Sequence, residues 1–173
     1  LIFSVASYIY FTHDLPSIDA LKNYSPPTMT RFYSEEGEII GEFFIEKREV
    51  VSLDRIPVTL VQAFVAGEDA KFYSHKGLDY IAIVRALLKN LFSGEFVQGG
   101  STITQQVVKS LLLSSEKSLK RKIREAILAF KIEKNLSKEE ILFLYLNQIY
   151  LGHGAYGVAA AAESYFAKTI EGL

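Results

Sequence analysis

The feature that most constrains the fold is a succession of helical segments that fills the chain from Pro57 onward. Proline suits the first turn of a helix, and Pro57 stands directly before an apolar run with helical spacing. Further helix starts are indicated by Asp79 and by the capping-box spacing of Thr102–Gln105 and Ser137–Glu140. The sequence therefore predicts a mainly α fold.

Residues 13–56 are predicted to form a connector that contains a small N-terminal β-hairpin. Three of the four prolines lie between Asp14 and Thr30, which is typical of extended chain. Two β-prone runs, Thr30–Ser34 and Glu38–Phe44, then flank a turn that contains glycine. Arg48–Leu53 is a candidate third strand, and residues 57–173 form the helical domain.

The first residues, 1–12, are apolar and aromatic but too short to cross a bilayer. One interpretation is the C-terminal end of a transmembrane or membrane-interface helix, with its tyrosines in the interfacial aromatic belt. The other is an ordinary buried N-terminal helix. These residues alone leave both interpretations open.

Composition excludes several classes of function. The formal net charge is −1, so the chain lacks the basic character of a nucleic-acid-binding domain. There is no cysteine, which excludes disulfides, zinc–thiolate sites and cysteine nucleophiles. The three histidines are far apart and show no HExxH spacing. Twelve phenylalanines and ten tyrosines suggest a surface that faces a membrane.

The first candidate for chemistry is the pair Glu68 and Asp69. At helical spacing, Glu68 falls on one apolar stripe with Val61, Phe64, Val65 and Phe72. A carboxylate on such a stripe should have a raised pKa, which suits a general base near neutral pH. The alternative is that Glu68 simply ends a helix and points into water.

A second candidate follows the glycine-rich stretch that ends at Gly100. Thr102, Gln106 and Lys109 recur at i, i+4 and i+7, so one helix face carries a hydroxyl, an amide and a cation. The N-terminal end of the helix that follows Ser101 would attract an anion. A well-capped helix with a solvated lysine would explain the same pattern.

The third candidate is Glu125 in the run from Leu119 to Phe130. We expect Leu119, Ile123, Ala126, Ile127 and Phe130 to form the core face of this helix. Glu125 then forms either a local pair with Arg121 or part of a cationic cluster that suits a pyrophosphate, directly or through a divalent metal.

Five segments, in this order, resemble the signatures of the family 51 peptidoglycan glycosyltransferases. They read GEDAKFYSHKG, QGGSTITQQVVK, RKIREAILA, KEEILFLYLNQIYLG and GAYGVAAAAESYFAK. Domains of this family occur in class A penicillin-binding proteins and in monofunctional transglycosylases. The resemblance implies a lysozyme-like, two-lobed helical domain whose smaller lobe dips into the membrane. The family domain usually continues beyond Leu173, so residues 57–173 would be truncated at the C-terminal end.

The resemblance also implies a reaction. Lipid II is polymerised into β-1,4-linked glycan strands with inversion, and undecaprenyl pyrophosphate is released. By motif position, Glu68 would deprotonate the acceptor hydroxyl, and Glu125 would be the second essential carboxylate. The residues implied in binding substrate or shaping its site are Asp69, Phe72, His75, Ser101, Thr102, Gln106, Lys109, Arg121, Lys122 and Asn147.

The implied partners are lipid II, the growing lipid-linked strand and the membrane, with no nucleic acid. A divalent cation, Mg²⁺ or Mn²⁺, would accompany the pyrophosphate, with Asp69 or Glu125 as candidate ligands, and no organic cofactor is expected. The implied location is the cytoplasmic membrane, single-pass, with the domain on its outer face. In a class A protein a transpeptidase domain would follow, although this chain contains no KTG motif.

Two alternatives remain at this stage. One is a lysozyme-like lytic enzyme that cleaves the same polymer, and the other is a catalytically silent membrane scaffold. Two positions also depart from the family pattern. Phe143 stands where an acid is frequent, and Ala167 where glycine is frequent.

Overall fold

The structure, a computed structural model, describes residues 9–22, 24–94, 99–114, 116 and 118–173. Residues 1–8 of the predicted membrane-helix end lie outside this range. Among the described residues, no helix is both long enough and apolar enough to span a membrane.

The fold is mainly α, as predicted, and fits a lysozyme-like helical domain. Short 3₁₀ turns lie at Leu53–Arg55 and Ile170–Gly172. The α-helices are α1 (Asp19–Lys22), α2 (Val58–Glu68), α3 (Tyr80–Ser93), α4 (Ile103–Leu111), α5 (Leu119–Glu133), α6 (Lys138–Gln148) and α7 (Val158–Phe166).

The predicted helix starts are confirmed. Pro57 is the N-cap of α2, and the side chain of Asp79 accepts a hydrogen bond from the backbone N–H of Ala82 at the start of α3. Complete capping boxes begin α4 at Thr102 and α6 at Ser137. These signals are correct because each depends only on contacts within about one helical turn.

The β-hairpin is also confirmed. Strands β1 (Thr30–Tyr33) and β2 (Ile39–Phe43) pair antiparallel. The predicted third strand, Arg48–Leu53, is wrong in its extent. Only β3 (Lys47–Arg48) forms, and it pairs in parallel with β4 (Ala155–Tyr156).

The physical reason lies at Val51, within the predicted third strand. Asn147 accepts a hydrogen bond from the N–H of Val51 at 2.8 Å and donates one to its carbonyl oxygen at 2.9 Å. Because a side chain satisfies both backbone groups, this segment needs no strand partner.

Helices α4, α5 and α6 form the centre of the hydrophobic core, with α2 packed at its edge. Ile103 and Val107 of α4 and Leu146 of α6 are almost completely buried. This packing places the N-terminal end of α4 beside the C-terminal end of α2.

The predicted core face of α5 is wrong. Leu119 is 79% exposed and Phe130 is 44% exposed, whereas Glu125, Leu128 and Ile132 are buried. Both sides of this helix carry apolar residues, so periodicity could not select between them. Packing against α4 selects the side that contains Glu125.

Candidate active site

A cavity of about 570 Å³ opens where the end of α2, the start of α3 and the N-terminal end of α4 meet. Its charged and amide side chains are Glu68, Asp69, Lys71, Asp79, Arg85 and Gln106. Gly99 and Gly100 also line it, which agrees with the expectation that the glycine-rich stretch borders a site. Residues 95–98 of that stretch lie outside the described part of the chain.

Glu68 is the last residue of α2, and its side chain is exposed. The predicted burial on an apolar stripe is therefore wrong, because the helix ends at this residue and Phe72 lies beyond it. One carboxylate oxygen, Oε2, accepts a hydrogen bond from Nε2 of Gln106 at 2.9 Å. Glu68 thus presents an ionisable oxygen to the cavity while an amide holds its orientation.

Asp69 follows immediately but has a different environment. It is 7% exposed, and Oδ2 accepts hydrogen bonds from Nε2 of His75 at 2.8 Å and from the N–H of Ile103 at 3.0 Å. Nδ1 of His75 accepts from the N–H of Gly77, so the Nε2 proton points to Asp69. Asp69 therefore fixes the N-terminal end of α4 to the turn after α2.

Two consecutive residues of α4 hold the two candidate carboxylates. Gln106 donates to Glu68, and Nε2 of Gln105 donates to Oε1 of Glu125 at 3.0 Å. Neighbouring residues on a helix point about 100° apart, so the two glutamates approach α4 from different sides. One helix thereby positions both motifs.

Glu125 is 1% exposed, far more buried than Glu68. Its Oε1 also accepts a hydrogen bond from Nζ of Lys122, which is shared with Oγ of Ser101 at 2.9 Å. Of the two alternatives for Glu125, the local pair with Arg121 does not form, since Lys122 one turn away, a member of the cationic cluster, is the partner. A buried carboxylate requires such compensation, and the arrangement connects α5 to the chain just before α4.

A second cavity of about 370 Å³ lies beside the first and shares Gln106 with it. Lys109 of α4 contributes a cation, and Glu46 contributes a carboxylate. Tyr145 and Tyr150 supply aromatic walls. Gln106, which holds the Glu68 carboxylate in the first cavity, therefore stands at the junction of the two cavities.

The structure separates the predicted substrate-binding residues into two groups. Ser101, Thr102, Gln106 and Asp69 border the first cavity, and Lys109 borders the second. Phe72, His75, Arg121, Lys122 and Asn147 are not among the lining residues of either cavity. Phe72 and Asn147 are completely buried, so any role of theirs acts through the residues that they support.

The described residues do not fit a protein-held metal site. No group of three or more His, Cys, Asp or Glu side chains within them could hold a metal ion. Oδ2 of Asp69 is occupied by His75 and Ile103, and Oε1 of Glu125 by Gln105 and Lys122.

Sequence reasoning missed several residues of the two cavities: Glu46, Lys71, Arg85, Tyr145 and Tyr150. Lys71 stands three residues after Glu68, and Arg85 is a cation in an otherwise apolar stretch of α3. The local sequence therefore contained a feature that could have indicated a role in the site for each of them. Glu46 and the tyrosines had none, since their positions depend on tertiary packing.

A mostly helical domain in which an exposed carboxylate is held by an amide at the junction of two cation-bearing cavities fits a glycosyltransferase. The chain belongs to the transglycosylase family, the family 51 glycosyltransferases, because the family model described as Transglycosylase matches residues 36–173.

The relatives carry one name. The chain is 47% identical to penicillin-binding protein 1A of Rickettsia prowazekii (strain Madrid E) over 98% of its own length and 22% of the relative's. Identity is 51% to penicillin-binding protein 1A of Aquifex aeolicus (strain VF5), over 91% of this chain and 22% of that protein. Identity is 48% to penicillin-binding protein 1A of Escherichia coli (strain K12), over 96% of this chain and 20% of that protein. The chain thus spans about a fifth of the length of these curated relatives.

Proposed function

We propose that this domain polymerises lipid II into β-1,4-linked glycan strands. Glu68 removes the proton from the 4-hydroxyl of the acceptor sugar as that oxygen attacks the anomeric carbon of the donor. The configuration inverts, and undecaprenyl pyrophosphate leaves with the bonding electrons. Because pyrophosphate is a good leaving group, the base and the cations carry most of the catalysis.

The observation that carries this proposal is that Glu68 lines the first cavity and is held by Gln106, the residue that the two cavities share. A transfer between two large substrates needs a donor site and an acceptor site with the base between them. A single exposed carboxylate on that boundary is consistent with one base and inversion. A retaining hydrolase would need two carboxylates about 5–5.5 Å apart on either side of one bond.

The donor is assigned to the second cavity, since Lys109 supplies a cation there for the pyrophosphate. Lys71 and Arg85 supply positive charge on the other side of Glu68. Buried Glu125 holds Lys122, which makes it a positioning residue for the chain before α4. If a divalent cation takes part, we propose that the pyrophosphate carries it to the site.

Membrane contact is assigned to α3. The exposed large side chains of this helix are Tyr80, Ile81, Ile83, Val84, Leu87, Leu88, Leu91 and Phe92, with Phe92 85% exposed. Ala82 and Arg85 of the same helix line the first cavity. A lipid-linked substrate could therefore reach the site beside α3 without leaving the bilayer surface. We propose that the domain works at the outer face of the cytoplasmic membrane, in a larger protein that includes a transpeptidase domain.

The test uses lipid II and, separately, finished glycan strands. The proposal predicts polymer and free undecaprenyl pyrophosphate from lipid II. Cleavage of finished strands without any polymer would contradict it and support a lytic enzyme. No reaction with either substrate would support a scaffold.

A matched pair of variants tests the donor assignment. Lys109→Ala should raise the KM for lipid II as donor by about tenfold or more, since one charge-assisted contact is lost. Glu139→Gln changes an exposed side chain of α6 that lines neither cavity, and its kinetics should match the wild type. Equal kinetics for both variants would exclude Lys109 from the donor site.

A further inference from the structure

One polar group of the second cavity is left unsatisfied. Tyr145 is 2% exposed, and its hydroxyl has no hydrogen-bond partner among the described residues. Buried hydroxyl groups are nearly always paired, because an unpaired one has lost its water without compensation. This hydroxyl therefore requires an explanation.

The ring of Tyr145 is held in place by its surroundings. Its centroid lies 6.1 Å from that of Phe64, with an interplanar angle of 77°, an edge-to-face contact. Tyr145 belongs to the buried face of α6. A tyrosine fixed in this way holds its hydroxyl in one direction at little entropic cost.

Two contacts connect Tyr145 to Glu68: Phe64, which packs against the tyrosine ring, precedes Glu68 by one turn of α2, and Gln106, which holds Glu68, lines the same cavity as Tyr145. Burial first, and the negative charge of Glu68 second, raise the pKa of Tyr145 above its ordinary value. Gln106 holds Oε2 of Glu68, while Oε1 accepts no hydrogen bond from the described residues. An orphaned donor and a free acceptor thus belong to two side chains that Phe64 and Gln106 connect.

We propose that the Tyr145 hydroxyl positions Glu68 during the reaction. When substrate fills the two cavities and displaces water, the exposed Glu68 side chain turns so that Oε1 accepts the hydrogen bond from Tyr145. Gln106 and Tyr145 then hold the two oxygens of one carboxylate. Tyr145 is a positioning residue, and this inference rests on the proposed role of Glu68 as the base.

The expected consequence is a change in the pH profile. In the substrate complex, a hydrogen bond from Tyr145 would stabilise the charged form of the Glu68 carboxylate relative to its neutral form. Removing the hydroxyl should therefore move the acid limb of activity to higher pH. The other charged side chains that line the two cavities are Glu46, Asp69, Lys71, Asp79, Arg85 and Lys109, and none of them changes in the variant.

The test is Tyr145→Phe in the full-length protein, assayed with lipid II across the pH range. We expect kcat/KM to fall about tenfold and its acid limb to rise by about one pH unit. The melting temperature should not fall, because removing an unsatisfied buried hydroxyl costs no hydrogen bond.

Tyr165→Phe is the matched control. Its hydroxyl donates to the carbonyl of Leu151 at 2.8 Å, and it lines neither cavity, so the pH profile should remain that of the wild type. An unchanged pH profile in Tyr145→Phe would overturn the positioning role, whatever its melting temperature. A wild-type protein that makes no polymer from lipid II would instead overturn the proposed function, and the role of Tyr145 with it.

Discussion

Asn147 offers the clearest quantitative prediction. Its side chain accepts from the N–H of Val51 at 2.8 Å and donates to the carbonyl oxygens of Val51 and Phe143, each at 2.9 Å. Asn147 and Val51 are 0% and 1% exposed. Asn147→Ala therefore leaves two buried backbone groups of Val51 without partners, and each such group costs about 1–3 kcal/mol.

We expect Asn147→Ala to lower the free energy of unfolding by about 3–5 kcal/mol, a large share of the stability of an ordinary domain. Urea unfolding followed by far-ultraviolet circular dichroism measures this. The control is Asn135→Ala, which removes one exposed hydrogen bond to the carbonyl of Lys131 and should cost less than about 1 kcal/mol. A loss below about 1 kcal/mol for Asn147→Ala would contradict the claim that this side chain satisfies the two buried backbone groups of Val51.

Two further predictions concern the chain between α2 and α4. Gly77→Ala should destabilise the protein by at least about 2 kcal/mol, because Gly77 has a φ of +94° and an added Cβ would lie 2.9 Å from the backbone of Ala129. Thermal unfolding measures the loss. A melting temperature equal to that of the wild type would contradict this prediction. The hydrogen bond from the Ala82 N–H lowers the pKa of Asp79, so this cap stabilises the fold above about pH 4 and the stabilisation is lost as the pH falls through the lower, folded-state value. Asp79→Ala should therefore cost about 1 kcal/mol at neutral pH and progressively less in acid, and a cost independent of pH would contradict the ionised cap.

The parts of the fold that sequence predicted are those set by local chemistry. The capping boxes at Thr102 and Ser137, the cap at Asp79 and the hairpin turn at Gly37 each depend on residues a few positions apart. These contacts do not require tertiary packing, and they are retained when the helices pack together.

The parts that sequence missed depend on contacts between distant segments. The burial predicted for Glu68 failed because α2 ends at that residue, and its partner Gln106 lies on another helix. For Glu125, spacing left open a pair with Arg121 or a place in a cationic cluster, and packing against α4 brought Gln105 beside it with Lys122 as the ion-pair partner.

The order of the five family motifs supplied part of the information on distant contacts that local patterns lack. It placed Glu68 and Gln106 in one site without any knowledge of the hydrogen bond between them. It gave no indication of Tyr145, because a tyrosine on the buried face of α6 has the same pattern as a core residue whether or not its hydroxyl is satisfied.

The most direct test of the central claim is Glu68→Gln in the full-length protein, with lipid II polymerisation and lipid II binding measured separately. Glutamine retains the size of the side chain and its hydrogen bond to Gln106 but cannot accept the acceptor proton. If Glu68 is the base, the rate of polymerisation falls by about 10²–10⁴-fold while lipid II binding changes by less than about threefold. A rate within about threefold of the wild type would contradict the assignment of Glu68 as the base.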